Sequence, residues 1–275
     1  MAGEDRVAVV LGGGADIGSH IAKRLIEAGK RVVATYRSEA SKARLVSLGV
    51  THALEMDAGD PDSVARLQDS FGELGLEWDI LFSSVGTMEP IGKFFDVPFQ
   101  DWSKSLQINA LGQVGALHAL SGFRAAEVTN QVCFLAGGGT NNPFRNYSAY
   151  CVSKIFLIKM CELIDDEYPD INCFIVGPGY VATKIHDETL RNKDTAGENY
   201  MRTLEFLDTP GTDLDNVYDS ILWCMDQGRA VMGGRNLSTK HDAWRDGGSA
   251  LAARLMSDRN IFKLRRVDVL EKPGG

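Results

Sequence analysis

Short apolar, β-branched runs alternate with amphipathic stretches along this chain, and a glycine-rich turn joins the first pair. Arg6–Leu11 reads as a strand, and Ile17–Ala28 places Ile17, Ile21, Leu25 and Ala28 on one helical face. Gly29 then follows as a helix-stopping glycine. Strands are predicted at Arg31–Tyr36, Thr51–Glu55, Ile80–Ser83, Gln131–Ala136, Asn172–Val176 and Ala230–Met232. Helices are predicted at Ala40–Leu48, Pro61–Phe71, most of Gln100–Ala126, Tyr147–Glu167 and Asp213–Gln227. Seven strands separated by helices imply an α/β fold: one doubly wound parallel sheet with helices on both faces. Right-handed crossovers then bring ligands to the carboxyl ends of the strands.

No repeat, linker or low-complexity block divides the 275 residues, so we expect one domain over 1–275. Two stretches look less regular: 184–212, and a C-terminal extension over 236–275. The chain is 44% hydrophobic, enough to bury a large core. Its formal net charge of −8 argues against nucleic acid as a partner. No apolar stretch approaches the ~18 residues of a membrane span, and Val7–Leu11 is too short for a signal-peptide core. A cytoplasmic protein without membrane partners is the expectation. The five cysteines lack a Cys-x-x-Cys pair and read as reduced thiols; the five histidines are scattered, so no metal site is expected.

The turn Gly12-Gly13-Gly14-Ala15-Asp16-Ile17-Gly18 sits between the first strand and the first helix. Glycines there let the backbone turn sharply and approach a pyrophosphate, which a helix N-terminus favours. After the second strand comes Thr35-Tyr36-Arg37, without the carboxylate that would hold an NAD ribose 2′-hydroxyl. Arg37 is either a partner for a 2′-phosphate, favouring NADP(H) over NAD(H), or a solvated side chain. Asp16 opposes a nearby phosphate unless it points away as a helix cap.

Tyr150 and Lys154 stand four apart on a predicted helix and so share a face. That helix follows the fifth strand, which sets its start near the ligand-binding edge. An ammonium near a phenol favours the phenolate and lowers its pKa from ~10. A phenol tuned this way suits acid–base transfer at a carbonyl or alcohol.

Taken in order, Gly12-x-x-x-Asp16-x-Gly18, Asp57, Ser83-Ser84-Val85-Gly86, Asn109, Tyr150-x-x-x-Lys154 and Pro178-Gly179-x-x-x-Thr183 resemble the short-chain dehydrogenase/reductase family, single-domain branch, over about residues 5–235. The resemblance implies a Rossmann-type NAD(P)-binding fold. It implies that Tyr150 gives a proton to the substrate oxygen and that Lys154 holds the nicotinamide ribose and tunes Tyr150. Asn109 would anchor a water linking Lys154 to solvent. Gly12, Gly14, Asp16, Ile17 and Gly18 would form the phosphate turn, with Tyr36, Arg37, Asp57, Ala58, Ser84, Val85 and Gly86 toward the adenosine half. Pro178, Gly179, Val181 and Thr183 would hold the nicotinamide and diphosphate.

Three positions depart from the family pattern. Asp16 replaces a glycine, and Ser83-Ser84-Val85-Gly86 replaces Asn-Asn-Ala-Gly. The catalytic serine, thirteen residues before the tyrosine, is Gly137. Losing such a donor costs ~3–4 kcal/mol of barrier. Either Thr140, the Asn141 amide, a glycine N–H or a water substitutes, or turnover is slow or absent. The segment 184–212 is a candidate lid, read as a long loop or marginal helix pair. Relatives pair through helices corresponding to Gln100–Ala126 and Tyr147–Glu167, so a homodimer or homotetramer is expected. The leading function is NADP(H)-dependent interconversion of a carbonyl and an alcohol on a small organic substrate. A cofactor-binding member without turnover is the alternative, and a sugar-nucleotide epimerase or dehydratase a third.

Overall fold

Strand β1 (Arg6–Leu11) is apolar from Val7 to Leu11, and its side chains alternate between two cores. A computed structural model of the protein describes residues 6–266. In it, β1 is followed by α1 (Asp16–Glu27), β2 (Val32–Tyr36), α2 (Glu39–Leu48), β3 (His52–Glu55), α3 (Pro61–Gly72) and β4 (Glu77–Ser83). Helix α4 (Phe99–Leu106) runs through a π-helical segment, Gln107–Leu111, into α5 (Gly112–Ala119). Then come β5 (Asn130–Leu135), α6 (Ser148–Glu167), β6 (Ile171–Gly177), α7 (Ile185–Arg191), α8 (Lys193–Ala196) and α9 (Glu198–Leu207). The described chain closes with α10 (Leu214–Met232), β7 (Asn236–Ser238) and α11 (Gly248–Ser257).

The strands form one seven-stranded sheet in the order β3-β2-β1-β4-β5-β6-β7, parallel throughout. Its order reverses between β1 and β4, which opens a crevice at their carboxyl ends. Val7, Val9 and Leu11 pack with Leu67 and Phe71 of α3, Leu117 of α5 and Leu157 of α6. Ala8 and Val10 face the other way, toward Ile21 and Leu25 of α1, Ile221 of α10 and Leu255 of α11. Each large side chain buried this way stabilises by about 1.5–3 kcal/mol before entropy is counted. Local signals agree with the packing. Asp60 caps α3 ahead of Pro61, Ser38 caps α2, and Gly49 ends α2 in the left-handed region.

Two expectations are corrected. Ala230–Met232 is not a strand but the last turn of α10, which breaks at Gly228 (φ +67°). Three apolar residues fix no period, and here Val231 and Met232 reach the core from a helix. The seventh strand is Asn236–Ser238, beyond the Gly233–Gly234 turn, and it pairs with β6. Most of Gln100–Ala126 is helical as expected, through α4, the π-helical segment and α5 to Ala119; a 3₁₀ turn follows at Ser121–Phe123, and Arg124 bridges to Trp78. The segment 184–212 is neither a long loop nor a helix pair, since it carries three short helices, α7 to α9.

The C-terminal stretch is more regular than expected, holding β7 and α11; positions 267–275 of it lie outside the described residues. Cys133, Cys161, Cys173 and Cys224 are buried thiols and Cys151 is partly buried. Among the described residues no helix is long and apolar enough to cross a membrane.

Candidate active site

The glycine turn is locked from both neighbouring strands. Gly12 adopts φ +70°, its N–H donates to Thr35 Oγ1 at 2.9 Å, and its carbonyl accepts from Ser84 Oγ at 3.0 Å. Gly18 lies so close beneath that a Cβ there would stand 2.4 Å from both Gly12 O and Ser84 Oγ. Ser84, read as a departure from the family pattern, therefore holds the turn through a short polar contact.

From that turn a cavity of about 990 Å³ runs along the carboxyl edge of the sheet. Gly14, Asp16 and Ile17 line one end, then Ser84, Val85 and Gly86, then Tyr150, Lys154 and Thr140, with Pro178, Gly179, Val181 and Thr183 opposite. Four elements far apart in sequence thus meet at one crevice. Its size lies within the range for small-molecule and cofactor sites.

Other predicted residues lie outside this wall. Tyr36 ends β2 with Lys42 Nζ 5.4 Å from its ring centroid, and Arg37 is exposed. Arg44, on α2, does line the cavity. Asp57 is engaged locally, accepting from Gly59 N–H at 2.8 Å. The Ala58 carbonyl takes a long hydrogen bond from Gln107 Nε2, at 3.4 Å. Asp16 does not cap its own helix as the sequence allowed. Its Oδ2 accepts from Lys184 N–H at 2.9 Å, and its Oδ1 stands 3.3 Å from Arg44 Nη1.

Asn109 is fully buried in the π-helical segment. Its Oδ1 accepts from Thr87 N–H and its Nδ2 donates to Thr87 O, both at 2.8 Å. The side chain thereby clamps the strand exit beside Gly86. The Asn109 carbonyl accepts from Gln113 Nε2, and Gln113 Oε1 accepts from Ser83 Oγ at 2.6 Å. This buried chain joins Ser83, the other altered residue of β4, to the helix that carries Asn109.

Tyr150 and Lys154 are 7% and 3% exposed on the first turns of α6. Lys154 Nζ donates to Leu135 O at 2.9 Å and lies 5.5 Å from the Tyr150 ring centroid. Burial pushes the phenol above its ordinary value and lowers the ammonium to about 8. The expected lowering of the phenol by the lysine is overturned. Both groups are withdrawn from water, burial disfavours the charged form of each, and the ammonium points to the Leu135 carbonyl.

The Gly137 position explains where the phenol goes. A Cβ on Gly137 would stand 2.0 Å from Tyr150 Oη, so the hydroxyl occupies the space a side chain there would take. The loop Gly137-Gly138-Gly139-Thr140-Asn141 forms the adjacent cavity wall.

Sequence reasoning missed Glu188 and Arg44. Glu188, on α7, enters the cavity and accepts from Thr87 Oγ1 and Met88 N–H, fastening the segment after β6 to the exit of β4. Burial raises its carboxyl above the usual range. No local sequence pattern marks it. His186 beside it is buried, with Nε2 3.0 Å from Val181 O.

Residues 13–239 match the family model described as enoyl-(acyl carrier protein) reductase. A rhamnolipid-biosynthesis 3-oxoacyl-[acyl-carrier-protein] reductase of Pseudomonas aeruginosa is 29% identical over 185 residues, 63% of this chain and 72% of that protein. A probable tetrahydroxynaphthalene reductase of Zymoseptoria tritici is 25% identical over 233 residues, 77% and 85% of the two chains. Among solved structures, a short-chain dehydrogenase/reductase of Saccharomyces cerevisiae superposes with TM-score 0.77 at 20% identity, covering 88% of this chain and 98% of that one. The RhlG protein of Pseudomonas aeruginosa, solved as an active-site complex with NADP, gives TM-score 0.70 at 24% identity, covering 85% and 94%.

Proposed function

Because this chain belongs to the short-chain dehydrogenase/reductase family of NAD(P)-dependent oxidoreductases, we propose that it interconverts a carbonyl and an alcohol on a small organic substrate, with NADP(H) as coenzyme. The observation that carries this reading is the convergence of the glycine turn, Tyr150 and Lys154 on one cavity. The nicotinamide supplies or takes the hydride; the chain binds, orients and moves the proton.

The fit to a dinucleotide rests on the shape of the wall. The Gly12 turn brings backbone to one end. At the other, a Cβ on Gly86 would meet Asn109 Oδ1 at 3.4 Å and Lys154 Nζ at 3.9 Å, so glycine keeps that stretch open beside the lysine. Gly12, Gly14, Asp16, Ile17 and Gly18 would flank the diphosphate. Ser84, Val85 and Gly86 would line the ribose path, and Pro178, Gly179, Val181 and Thr183 the nicotinamide end. Tyr36, Arg37, Asp57 and Ala58 would reach the adenosine only beyond the cavity wall. Arg44 joins Arg37 as a candidate for the coenzyme's phosphates, and the absence of an acidic residue in Thr35-Tyr36-Arg37 favours NADP(H).

Tyr150 would give its proton to the substrate oxygen during reduction, with Lys154 as the nearby cation. A phenol held above its ordinary value keeps its proton until an oxygen that needs it arrives. Thr140, in the loop that lines the cavity after Gly137, would supply the hydroxyl that Gly137 lacks. Asn109 would act by holding Thr87 and the cavity floor in place. The helices of 184–212 would cover the substrate, fastened by Glu188. Exposed Leu111, Val152 and Leu163, on the π-helical segment and α6, support pairing of two or four copies.

A second reading, coenzyme binding without turnover, draws on the missing side chain at Gly137 and on the phenol filling its place. One experiment separates the two. NADPH and NADH are titrated by fluorescence, and ketones, quinones and 3-oxoacyl thioesters are then screened for coenzyme oxidation. Turnover with NADPH supports the first reading; tight binding with no turnover on any of them supports the second.

A further inference from the structure

Asp16 stands where the coenzyme's phosphates would pass, and it is already engaged. As the first residue of α1, its carboxylate accepts from the Lys184 N–H at 2.9 Å and faces the Arg44 guanidinium at 3.3 Å. Asp16, Arg44 and Lys184 all line the cavity. The two partners, a backbone N–H and a guanidinium, are the donor types that grip phosphate oxygens. Asp16 is also the only acidic residue between Gly12 and Gly18.

We propose that Asp16 is an internal competitor for the coenzyme's phosphates: its carboxylate holds the two donors, Lys184 N–H and Arg44, that a dinucleotide phosphate at this turn would take. This rests on the reading of the cavity as a dinucleotide site. A phosphate entering beside a fixed carboxylate meets like-charge repulsion in a partly enclosed cleft. Binding therefore requires the carboxylate to turn away and surrender both partners, and the phosphate takes up Arg44 in its place. The contact spans the glycine turn and the residue just before α7. Filling the phosphate site thus releases the residue just before α7, the helix that Glu188 fastens one turn further on. Coenzyme binding and the mobility of that segment become one equilibrium.

The test uses the full chain and NADPH, titrated by fluorescence at fixed ionic strength, with folding checked by thermal unfolding. Asp16→Asn keeps the size and an acceptor for Lys184 N–H while removing the charge, and Asp16→Gly removes both. The proposal expects both variants to bind NADPH about tenfold or more tightly than the unaltered protein, and Arg44→Ala to bind more weakly. It also expects the Lys184 amide to exchange hydrogen faster when NADPH is added to the unaltered protein, and to be fast without ligand in Asp16→Gly. Equal or weaker binding by both Asp16 variants, with NADPH still bound by the unaltered protein, overturns the proposal and leaves the proposed function standing. Tightening in Asp16→Gly alone would assign the effect to bulk and contradict the charge argument. If neither the unaltered protein nor any variant binds NADPH or NADH, the dinucleotide reading falls and this inference with it.

Discussion

The hydroxyl of Tyr150 lies against Gly137 so closely that a Cβ at that position would stand 2.0 Å from it. The two residues have to be read as a pair. With glycine at 137 the phenol has room, and a side chain there would force the ring to move. Overpacking of this kind costs about 1–3 kcal/mol. Gly137→Ala is therefore expected to destabilise by that amount in urea unfolding. In a Tyr150→Ala background the same change should cost little, giving a coupling well above the ~0.5 kcal/mol of independent sites. Additive effects would show that the pair does not pack as described.

Lys154 is held at about 8 by burial, below its ordinary value. Between about pH 8 and 10.5 the unfolded chain binds the proton and the folded one does not. Stability therefore rises with pH across that window. Lys154→Met removes the slope, raises stability near pH 7 by about 1–3 kcal/mol, and abolishes turnover. Chemical unfolding at pH 7, 8.5 and 10 checks the sign.

Glu188 fastens α7 to Thr87 and Met88, and burial raises its carboxyl. A raised carboxyl holds its proton to a higher pH in the folded chain than in the unfolded one, so its contribution is present below the unfolded value and is lost as pH rises through the folded value. Glu188→Gln should flatten that dependence and keep the segment docked. Glu188→Ala leaves Thr87 and Met88 without their acceptor, costing about 1–3 kcal/mol. Limited proteolysis should then cut within 184–212 sooner in the alanine variant than in the glutamine variant.

Glu162 behaves in the opposite sense. The Arg265 guanidinium, with help from Lys159, holds its carboxyl down at about 2. The stability it lends is complete above the unfolded value of ~4.5 and is lost as pH falls toward 2. The pair is partly open to solvent, so its worth is about 1 kcal/mol or less. Arg265→Ala should remove most of that acid dependence in unfolding curves at pH 5, 4 and 3, with no change at the catalytic end.

What the sequence disclosed followed physical strength of signal. Val7–Leu11 and Val32–Tyr36 are apolar runs rich in β-branched residues, Val132–Leu135 is apolar throughout, and the sheet followed from them. Ala230–Met232 misled because a three-residue run fits a helix turn as well as a strand. Gly137 drew attention through its spacing to Tyr150, but the close approach of the phenol to it depends on the ring's rotamer and on burial. Glu188 was hidden because its role depends on Thr87 and Met88, about a hundred residues away. Arg37 drew attention by standing directly after a strand; Arg44, which lines the cavity, sits seven residues later on a helix.

The central claim is that the Tyr150 phenol delivers the proton in an NADPH-dependent reduction. The direct measurement is the steady-state rate of NADPH oxidation by Tyr150→Phe, on the best carbonyl substrate found for the unaltered enzyme, with NADPH affinity measured in parallel. The account predicts a fall in kcat of a hundredfold or more with coenzyme affinity within about threefold, since the ring stays and only the hydroxyl goes. Undiminished turnover by the phenylalanine variant would contradict it.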